Sequence, residues 1–121
     1  MSSHILFPNI EPNGVPATMS RTIMHGLLRE TLAFDGLILS DCMVMDAIRR
    51  HYGTAHGVVE AMRAGVDMVF VSSNADLQRE SAAAALAAAE GGSIDVRELD
   101  GSAERILRAK ERWIHPAEPE S

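Results

Sequence analysis

With 121 residues, the chain is long enough for one small domain with a modest hydrophobic core. Its net charge of -6 and its aromatic content of 4% argue against the basic, aromatic-rich surfaces that bind nucleic acids. No apolar run approaches the roughly 20 residues of a membrane-spanning helix, and the amino terminus lacks the pattern of a signal peptide. We therefore expect a cytoplasmic protein that binds neither nucleic acid nor membrane. The single cysteine, Cys42, fits a reducing compartment.

The first third of the chain predicts a strand end, a long loop and a helix. The apolar run at residues 5–7 is stopped by Pro8, and residues 8–17 hold three prolines and a glycine, which is typical of a loop. Ser20 has the character of a helix N-cap. The helix that follows carries one apolar stripe, formed by Ile23, Met24, Leu27, Leu28 and Leu32.

A short apolar run follows this helix and ends in a polar pair. Residues 36–39 are apolar or glycine, and Ser40 and Asp41 close the run. Such a run, bounded by turn residues, indicates a strand that is buried on both faces, as in a parallel sheet. Because the chemistry of such sheets lies at the carboxyl ends of the strands, Asp41 is the first candidate for a catalytic residue.

The remainder of the chain predicts a second strand and three helices. Thr54 is a candidate cap for a helix that ends at Gly65, and residues 67–71 form another short buried strand. The expected apolar face of that helix consists of Ala55, Val58, Val59 and Met62. An alanine-rich helix is expected over residues 76–90.

The last helix begins after Asp95, which forms a capping-box pattern with Glu98. Its apolar residues at helical spacing are Leu99, Ala103, Ile106, Leu107 and Trp113. The two clear strands begin roughly 30 residues apart, which is the size of a βαβ unit. The order of elements therefore predicts an α/β chain in which parallel strands alternate with helices.

Several segments of the chain form a characteristic series when taken in order and at their spacing. They are Pro16-Ala17-Thr18-Met19-Ser20, Gly26-Leu27-Leu28-Arg29-Glu30, Phe34-Asp35-Gly36-Leu37-Ile38-Leu39-Ser40-Asp41, Met45 with Ala47-Ile48, Ala64-Gly65-Val66-Asp67-Met68, and Arg105-Ile106-Leu107 with Lys110. Together they resemble glycoside hydrolase family 3, closest to its bacterial β-N-acetylhexosaminidase branch. The resemblance covers the chain from residue 1 to about residue 113.

The resemblance implies a (β/α)8 TIM-type barrel and hydrolysis of O-glycosyl bonds with retention of configuration. The expected substrate is a glycoside with terminal β-linked N-acetylglucosamine, used in carbohydrate metabolism or cell-wall recycling. Asp41 matches the nucleophile at the end of the seventh strand. His4 is expected at the end of the sixth strand, near the sugar pocket, and Met45 beside the nucleophile; both are expected substrate-binding residues. No metal or organic cofactor is implied.

The chain is shorter than the barrel that it resembles. A complete barrel needs about 250 residues, and the family's Lys-His-Phe-Pro-Gly-His-Gly segment is absent here. No Asp or Glu matches the proton donor. We therefore expect residues 1–115 to form the C-terminal part of a barrel domain and residues 116–121 to be disordered. The missing strands predict either a second chain that supplies them or self-association.

Two alternatives differ from a glycosidase. A non-catalytic barrel fragment or interaction module is compatible with the same pattern. A phospho-receiver domain has this length and an Asp at a strand end, but its acidic pair is absent and the only lysine is Lys110. His51 and His56 are five residues apart, which does not match a helical metal pair. For Cys42 we expect a buried packing role, with a pKa raised by Asp41.

Overall fold

A computed structural model describes residues 1–114; the tail that we expected to be disordered, residues 116–121, lies outside this range. A single turn of 3-10 helix at Ala17–Met19 precedes five longer helical segments. These are α1 (Thr22–Thr31), α2 (Asp46–Arg49), α3 (Thr54–Ala64), α4 (Ala75–Glu90) and α5 (Val96–Trp113). In the described part of the chain, no helix is both long enough and apolar enough to cross a membrane.

The two predicted strands are extended segments, residues 37–41 and 66–71, that run side by side. They share one parallel bridge, between Leu39 and Met68, and the Ser40 amide donates to the Met68 carbonyl at 3.0 Å. A third extended piece joins from the amino terminus, where the Ser2 amide donates to the Leu39 carbonyl at 2.6 Å. Within residues 1–114 this bridge is the only strand pairing, so the predicted parallel sheet is not confirmed.

Two backbone amides that would donate to carbonyls in a regular parallel ladder donate to side-chain oxygens instead. The Ile38 amide donates to a carboxylate oxygen of Asp67 at 2.9 Å, and the Phe70 amide donates to the Ser40 hydroxyl at 2.9 Å. Side-chain oxygens compete with carbonyls for backbone donors in this way. The ladder is therefore interrupted on both sides of the Leu39–Met68 bridge.

Helix α1 begins as the sequence predicts but has a wider turn. The Ser20 hydroxyl accepts from the Ile23 amide at 3.2 Å, which is the expected capping contact. The helix then uses i to i−5 hydrogen bonds of the π type, such as that from Leu32 to Leu27. Apolar residues at α-helical spacing do not stay on one face of a helix with this wider turn. Ile23 and Met24 are buried accordingly, whereas Leu32 is 63% exposed.

Helix α3 ends at Gly65 as predicted, but of its predicted apolar face only Val58 is fully buried. Gly65 has φ of +112°, a left-handed conformation that favours glycine, and its amide closes the last turn. The buried side consists of Thr54, Gly57, Val58, Ala61 and Ala64. These are mostly small residues, which let neighbouring elements approach closely. Thr54 does not cap the helix; its hydroxyl donates to the Met43 carbonyl.

Caps define the starts of α4 and α5. The Asn74 side chain accepts from the Leu77 amide, and the Asp95 carboxylate accepts from the Arg97 amide. Glu98 does not complete the capping box, because its carboxylate pairs with Arg21 at 2.6 Å. Helix α4 packs on α3, whereas α5 buries none of its residues completely.

The hydrophobic core lies between α1, α3 and the extended segments. Its buried members are Ala17, Met19, Ile23, Met24, Ile38, Met43, Ile48, Val58, Ala61, Ala64 and Val66. Outside the core, four large apolar side chains near the amino terminus are at least 41% exposed: Ile5, Leu6, Phe7 and Ile10. We refer to these four residues as the N-terminal apolar edge.

Candidate functional site

Asp41 is the last residue of the extended segment 37–41 and is half-buried. Its Oδ1 accepts a hydrogen bond from the Cys42 amide at 2.7 Å. Residues 1–114 supply no hydrogen bond to its other oxygen, Oδ2. The carboxylate is therefore held through one oxygen, and the second has no hydrogen-bond partner among residues 1–114.

The residues after Asp41, which we call the Asp41 loop (residues 41–45), are fixed by main-chain contacts. Met43 is fully buried. Its amide donates to the Phe70 carbonyl at 2.8 Å, and its carbonyl accepts from the Thr54 hydroxyl at 3.1 Å. Because Phe70 and Thr54 belong to different elements, the loop is held from two sides.

His4 lies against the same loop. Its Nε2 is 2.9 Å from the Cys42 carbonyl oxygen, and its Nδ1 is 3.0 Å from the Thr18 hydroxyl. Thr18 is fully buried and also bonds to Ser2 and Ser3. The structure thus brings His4 and the Asp41 loop together, with both ring nitrogens within hydrogen-bond distance of protein atoms.

Met45 ends the Asp41 loop at the start of α2. Its side chain is 46% exposed, and its amide lies 3.3 Å from the Cys42 carbonyl. The main chain of Met45 is therefore part of the fixed loop, and its thioether side chain faces solvent. A role of Met45 in substrate contact stays a prediction.

Cys42 differs from the sequence-based expectation. It is half-buried, and its sulfur is 2.9 Å from the Ser72 hydroxyl. Burial raises the pKa of the Cys42 thiol, and the Asp41 charge acts in the same direction as predicted. Hydrogen bonds, led by that of the Ser72 hydroxyl, outweigh both effects and hold the pKa below its usual value. The predicted rise in pKa is therefore wrong.

Glu11 is a buried carboxylate, 5% exposed, in the loop before α1. The Ser20 hydroxyl donates to its Oε2 at 2.8 Å and the Asn13 amide to its Oε1 at 3.2 Å. The hydrogen bond from Ser20 is the main reason that the pKa of Glu11 lies below its usual value. Glu11 is thus ionised at neutral pH and is unsuited to donate a proton.

The second buried carboxylate, Asp67, lies at the other end of the extended segments. Its side chain is fully buried, between Arg29 at 2.6 Å and Arg105 at 2.9 Å. The Ser102 hydroxyl donates to it at 2.6 Å. Burial alone would raise the pKa of Asp67, but the hydrogen bonds from Arg105, Ser102 and the Ile38 amide hold it below its usual value.

This cluster of Arg29, Asp67, Ser102 and Arg105 is structural. Asp67 pairs with Ile38 near the start of one extended segment, whereas Asp41 ends that segment. At about 3.3 Å per residue, the two carboxylates lie roughly 10 Å apart along the strand direction. In barrels the amino ends of strands serve stability and the carboxyl ends serve chemistry. Asp67 and Arg105 belong to separate segments of the family resemblance, and no pattern in the sequence indicates that they meet.

The histidines that we considered for metal binding, His51 and His56, are both exposed. Residues 1–114 contain no group of three or more His, Cys, Asp or Glu side chains that could hold a metal ion.

Comparison with known proteins identifies the family. The family model described as Glycosyl hydrolase family 3 N terminal domain matches residues 1–109. Beta-hexosaminidase A of Pseudoalteromonas piscicida is 31% identical over 91% of this chain and 21% of its own length. Beta-hexosaminidase of Nitrosomonas eutropha is 36% identical over 63% of this chain, again 21% of its own length. This chain thus spans about a fifth of these relatives.

Solved structures give the same result. The family 3 beta-N-acetylglucosaminidase from Paenibacillus sp. str. FPU-7 superposes with a TM-score of 0.91 at 40% identity, covering 98% of this chain and 22% of that one. The beta-N-acetylglucosaminidase from Thermotoga maritima superposes with a TM-score of 0.79 at 25% identity, covering 88% and 23% of the two chains. The local fold is therefore that of a segment of a barrel-type family 3 domain. The chain belongs to glycosyl hydrolase family 3.

Proposed function

We propose that this chain carries the nucleophile of a retaining glycoside hydrolase that acts on terminal β-linked N-acetylglucosamine. The observation that carries the proposal is the placement of Asp41. It ends an extended segment at the position where the family resemblance puts the nucleophile, with Oδ1 held by the Cys42 amide and Oδ2 available. The choice of sugar is supported by the printed names of the relatives, a beta-hexosaminidase A and a beta-N-acetylglucosaminidase.

In the proposed reaction, Asp41 Oδ2 attacks the anomeric carbon and the bond to the leaving oxygen breaks, which gives a glycosyl ester. The leaving oxygen takes a proton from a general acid, and water then hydrolyses the ester. Neither buried carboxylate fits the acid role, since hydrogen bonds lower the pKa of both Glu11 and Asp67. Since no Asp or Glu of this chain matches the family's proton donor, we propose that the acid comes from outside this chain.

We assign Met45 to substrate contact and place His4 near the sugar pocket, as the resemblance implies. The exposed Met45 side chain lies on the Asp41 loop, and His4 touches the same loop through Cys42. A flexible thioether is suited to packing against the apolar face of a sugar ring.

A cytoplasmic location stays a prediction, which cell fractionation tests.

At the level of the fold, we propose that the chain is the C-terminal portion of a (β/α)8 barrel whose parallel strands are residues 2–6, 37–41 and 66–71. The parallel Leu39–Met68 bridge, the Ser2–Leu39 contact and the superposition on family 3 enzymes support this assignment. The remaining strands would come from further residues of a longer protein, from a second chain, or from self-association at the N-terminal apolar edge.

A dinitrophenyl 2-acetamido-β-glucoside tests the proposal. Dinitrophenolate leaves without protonation, so an acid outside the chain is not required. We expect phenolate release that Asp41→Asn lowers by about 100-fold or more, because the nucleophile is lost. Asp46→Asn is the matched control, since Asp46 is an exposed carboxylate that pairs only with Arg49 and Arg50 in the described structure.

A non-catalytic barrel fragment is the second candidate function. The small share of each relative that this chain covers favours it. Phenolate release that is equal in the native chain, Asp41→Asn and buffer would support this reading and overturn catalysis by this chain.

A further inference from the structure

We propose that His4 is a positioning residue, which orients Asp41 by holding the Cys42 carbonyl and does not itself bind the sugar. The inference rests on the proposed role of Asp41 as nucleophile. It concerns a contact between two parts of the chain that lie 38 residues apart in sequence.

The proton on the His4 ring is fixed by its partner. A carbonyl oxygen only accepts hydrogen bonds. The contact of 2.9 Å between Nε2 and the Cys42 oxygen therefore requires a hydrogen on Nε2. A ring nitrogen that already donates to the main chain is not free to donate to a sugar hydroxyl.

Thr18 engages the other nitrogen in either protonation state of the ring. When His4 is neutral, the Thr18 hydroxyl turns its single hydrogen from the Ser3 carbonyl to Nδ1, 3.0 Å away, so that Nδ1 accepts. When His4 is protonated, Nδ1 donates to that oxygen, and the Thr18 hydroxyl donates to the Ser3 carbonyl at 3.0 Å. Both arrangements keep the hydrogen on Nε2. Because Thr18 is fully buried, it provides a fixed anchor for the ring.

The contact between His4 and Cys42 lies directly beside Asp41. The Cys42 amide is the group that holds Asp41 Oδ1, and the Cys42 carbonyl is the group that His4 holds. A movement of Cys42 therefore moves the carboxylate. Support of this kind, one residue behind a reacting group, is how an active site keeps its geometry.

Nitrogen-15 NMR of the His4 ring detects the hydrogen bond to the Cys42 carbonyl and does not require enzymatic activity. We expect His4 Nε2 to carry a slowly exchanging proton at every pH at which the chain is folded. The exposed His51 and His56 are internal controls whose ring protons exchange fast. A His4 ring with its proton on Nδ1 alone, or with an Nε2 proton that exchanges as fast as those of the controls, would overturn the proposal.

Two substitutions at His4 separate positioning from other roles. The His4→Gln side chain places its amide donor near the Nε2 position, whereas the His4→Asn side chain is too short to reach. We expect His4→Asn to shift the amide resonances of Cys42 and Met43, and His4→Gln to return them most of the way to the native values. Equal shifts in both variants would contradict positioning through this donor.

Kinetics with the dinitrophenyl substrate then separate positioning from sugar binding. We expect His4→Asn to lower kcat by about 10-fold or more with KM changed less than about 2-fold, and His4→Gln to recover most of the loss. A raised KM with unchanged kcat would assign His4 to sugar binding instead. If the native chain releases no phenolate, the proposed function fails, while the NMR result still decides whether His4 holds the Asp41 loop.

Discussion

At the residue scale, the chain contains three carboxylates in distinct settings. Glu11 and Asp67 are enclosed by hydrogen bonds that favour their ionised forms, whereas Asp41 keeps one oxygen without a bonding partner among the described residues. The first two stabilise the fold. The third is the residue that we propose as the nucleophile.

Asp67→Asn tests the structural role of the buried cluster. The substitution leaves Arg29 and Arg105, whose side chains are 13% and 28% exposed, without their counter-charge. Loss of one partner of a buried pair costs about 3 kcal/mol or more. We expect the free energy of unfolding in urea to fall by about 3 kcal/mol. Asp76→Asn, whose exposed carboxylate pairs with Arg79, is the control and should change it by less than about 0.5 kcal/mol.

The pH dependence of stability provides a separate prediction. The pKa of Asp67 is lower in the folded chain than in the unfolded chain. Its contribution to stability is therefore complete above the ordinary Asp pKa of about 3.9 and is lost as pH falls through the folded value. Urea denaturation at a series of pH values should show the gap between the native chain and Asp67→Asn closing as the medium becomes acidic. A gap that stays constant down to acidic pH would contradict this assignment.

The sequence predicts Asp41 as a site residue from a local signal. An apolar run followed by Asp marks a strand end, and the family resemblance covers the same segment. The contacts around this site and in the separate Asp67 cluster are not local. His4 reaches Cys42 across 38 residues, and Asp67 reaches Arg105 across another 38. Such contacts depend on the tertiary fold, so the periodicity of the sequence does not reveal them.

At the element scale, the sequence predicted where helices begin and end better than which faces they bury. The predicted cap Thr54 donates to the Met43 carbonyl instead. Ser20 and Asp95 form the predicted capping bonds. These bonds involve neighbouring residues, so composition alone indicates them. The buried face of α3 and the exposure of Leu32 depend on close packing and on a wider helical turn, which propensity does not encode.

Two helical glycines give a paired test of this packing. A Cβ on Gly57 would lie 2.5 Å from Ile48 Cγ2 and 3.1 Å from Met43 Cε. Alanine is favoured over glycine in a helix by about 1 kcal/mol, but overpacking a core costs about 1–3 kcal/mol. We expect Gly57→Ala to lower the free energy of unfolding by about 1–2 kcal/mol.

Gly26→Ala is the matched control in α1. Its new Cβ would have one neighbour within 4 Å, the Arg21 carbonyl oxygen at 3.9 Å. Helix propensity then dominates, and we expect the free energy of unfolding to rise by up to about 1 kcal/mol. Urea denaturation measures both variants. A stabilised Gly57→Ala chain would show that the Met43–Ile48 contact with α3 is looser than the structure indicates.

At the scale of the whole molecule, the chain matches a segment of much larger enzymes. It superposes on a family 3 enzyme with a TM-score of 0.91 while covering 22% of that chain. The N-terminal apolar edge is exposed where the proposed barrel would continue. Exposed apolar patches of this kind favour association.

We expect the chain to self-associate through this edge when no further strands are supplied. Sedimentation velocity over a range of concentrations should show species larger than a monomer. Leu6→Lys should reduce them, because Leu6 lies in the edge and is 55% exposed. Leu86→Lys is the control, as Leu86 is 60% exposed on α4, away from the edge. A monomer at all concentrations, or an equal effect of both substitutions, would argue against this surface.

The most direct test of the central claim is the mass of the Asp41 peptide during turnover. The chain is mixed with the dinitrophenyl 2-acetamido-β-glucoside, quenched in acid within milliseconds and digested for peptide mass analysis, with phenolate release followed in parallel. We predict that one N-acetylglucosaminyl group is found on Asp41, and that Asp41→Asn neither carries the group nor releases phenolate above background. A sugar attached to another residue, or undiminished release by Asp41→Asn, would contradict the assignment of Asp41 as the nucleophile.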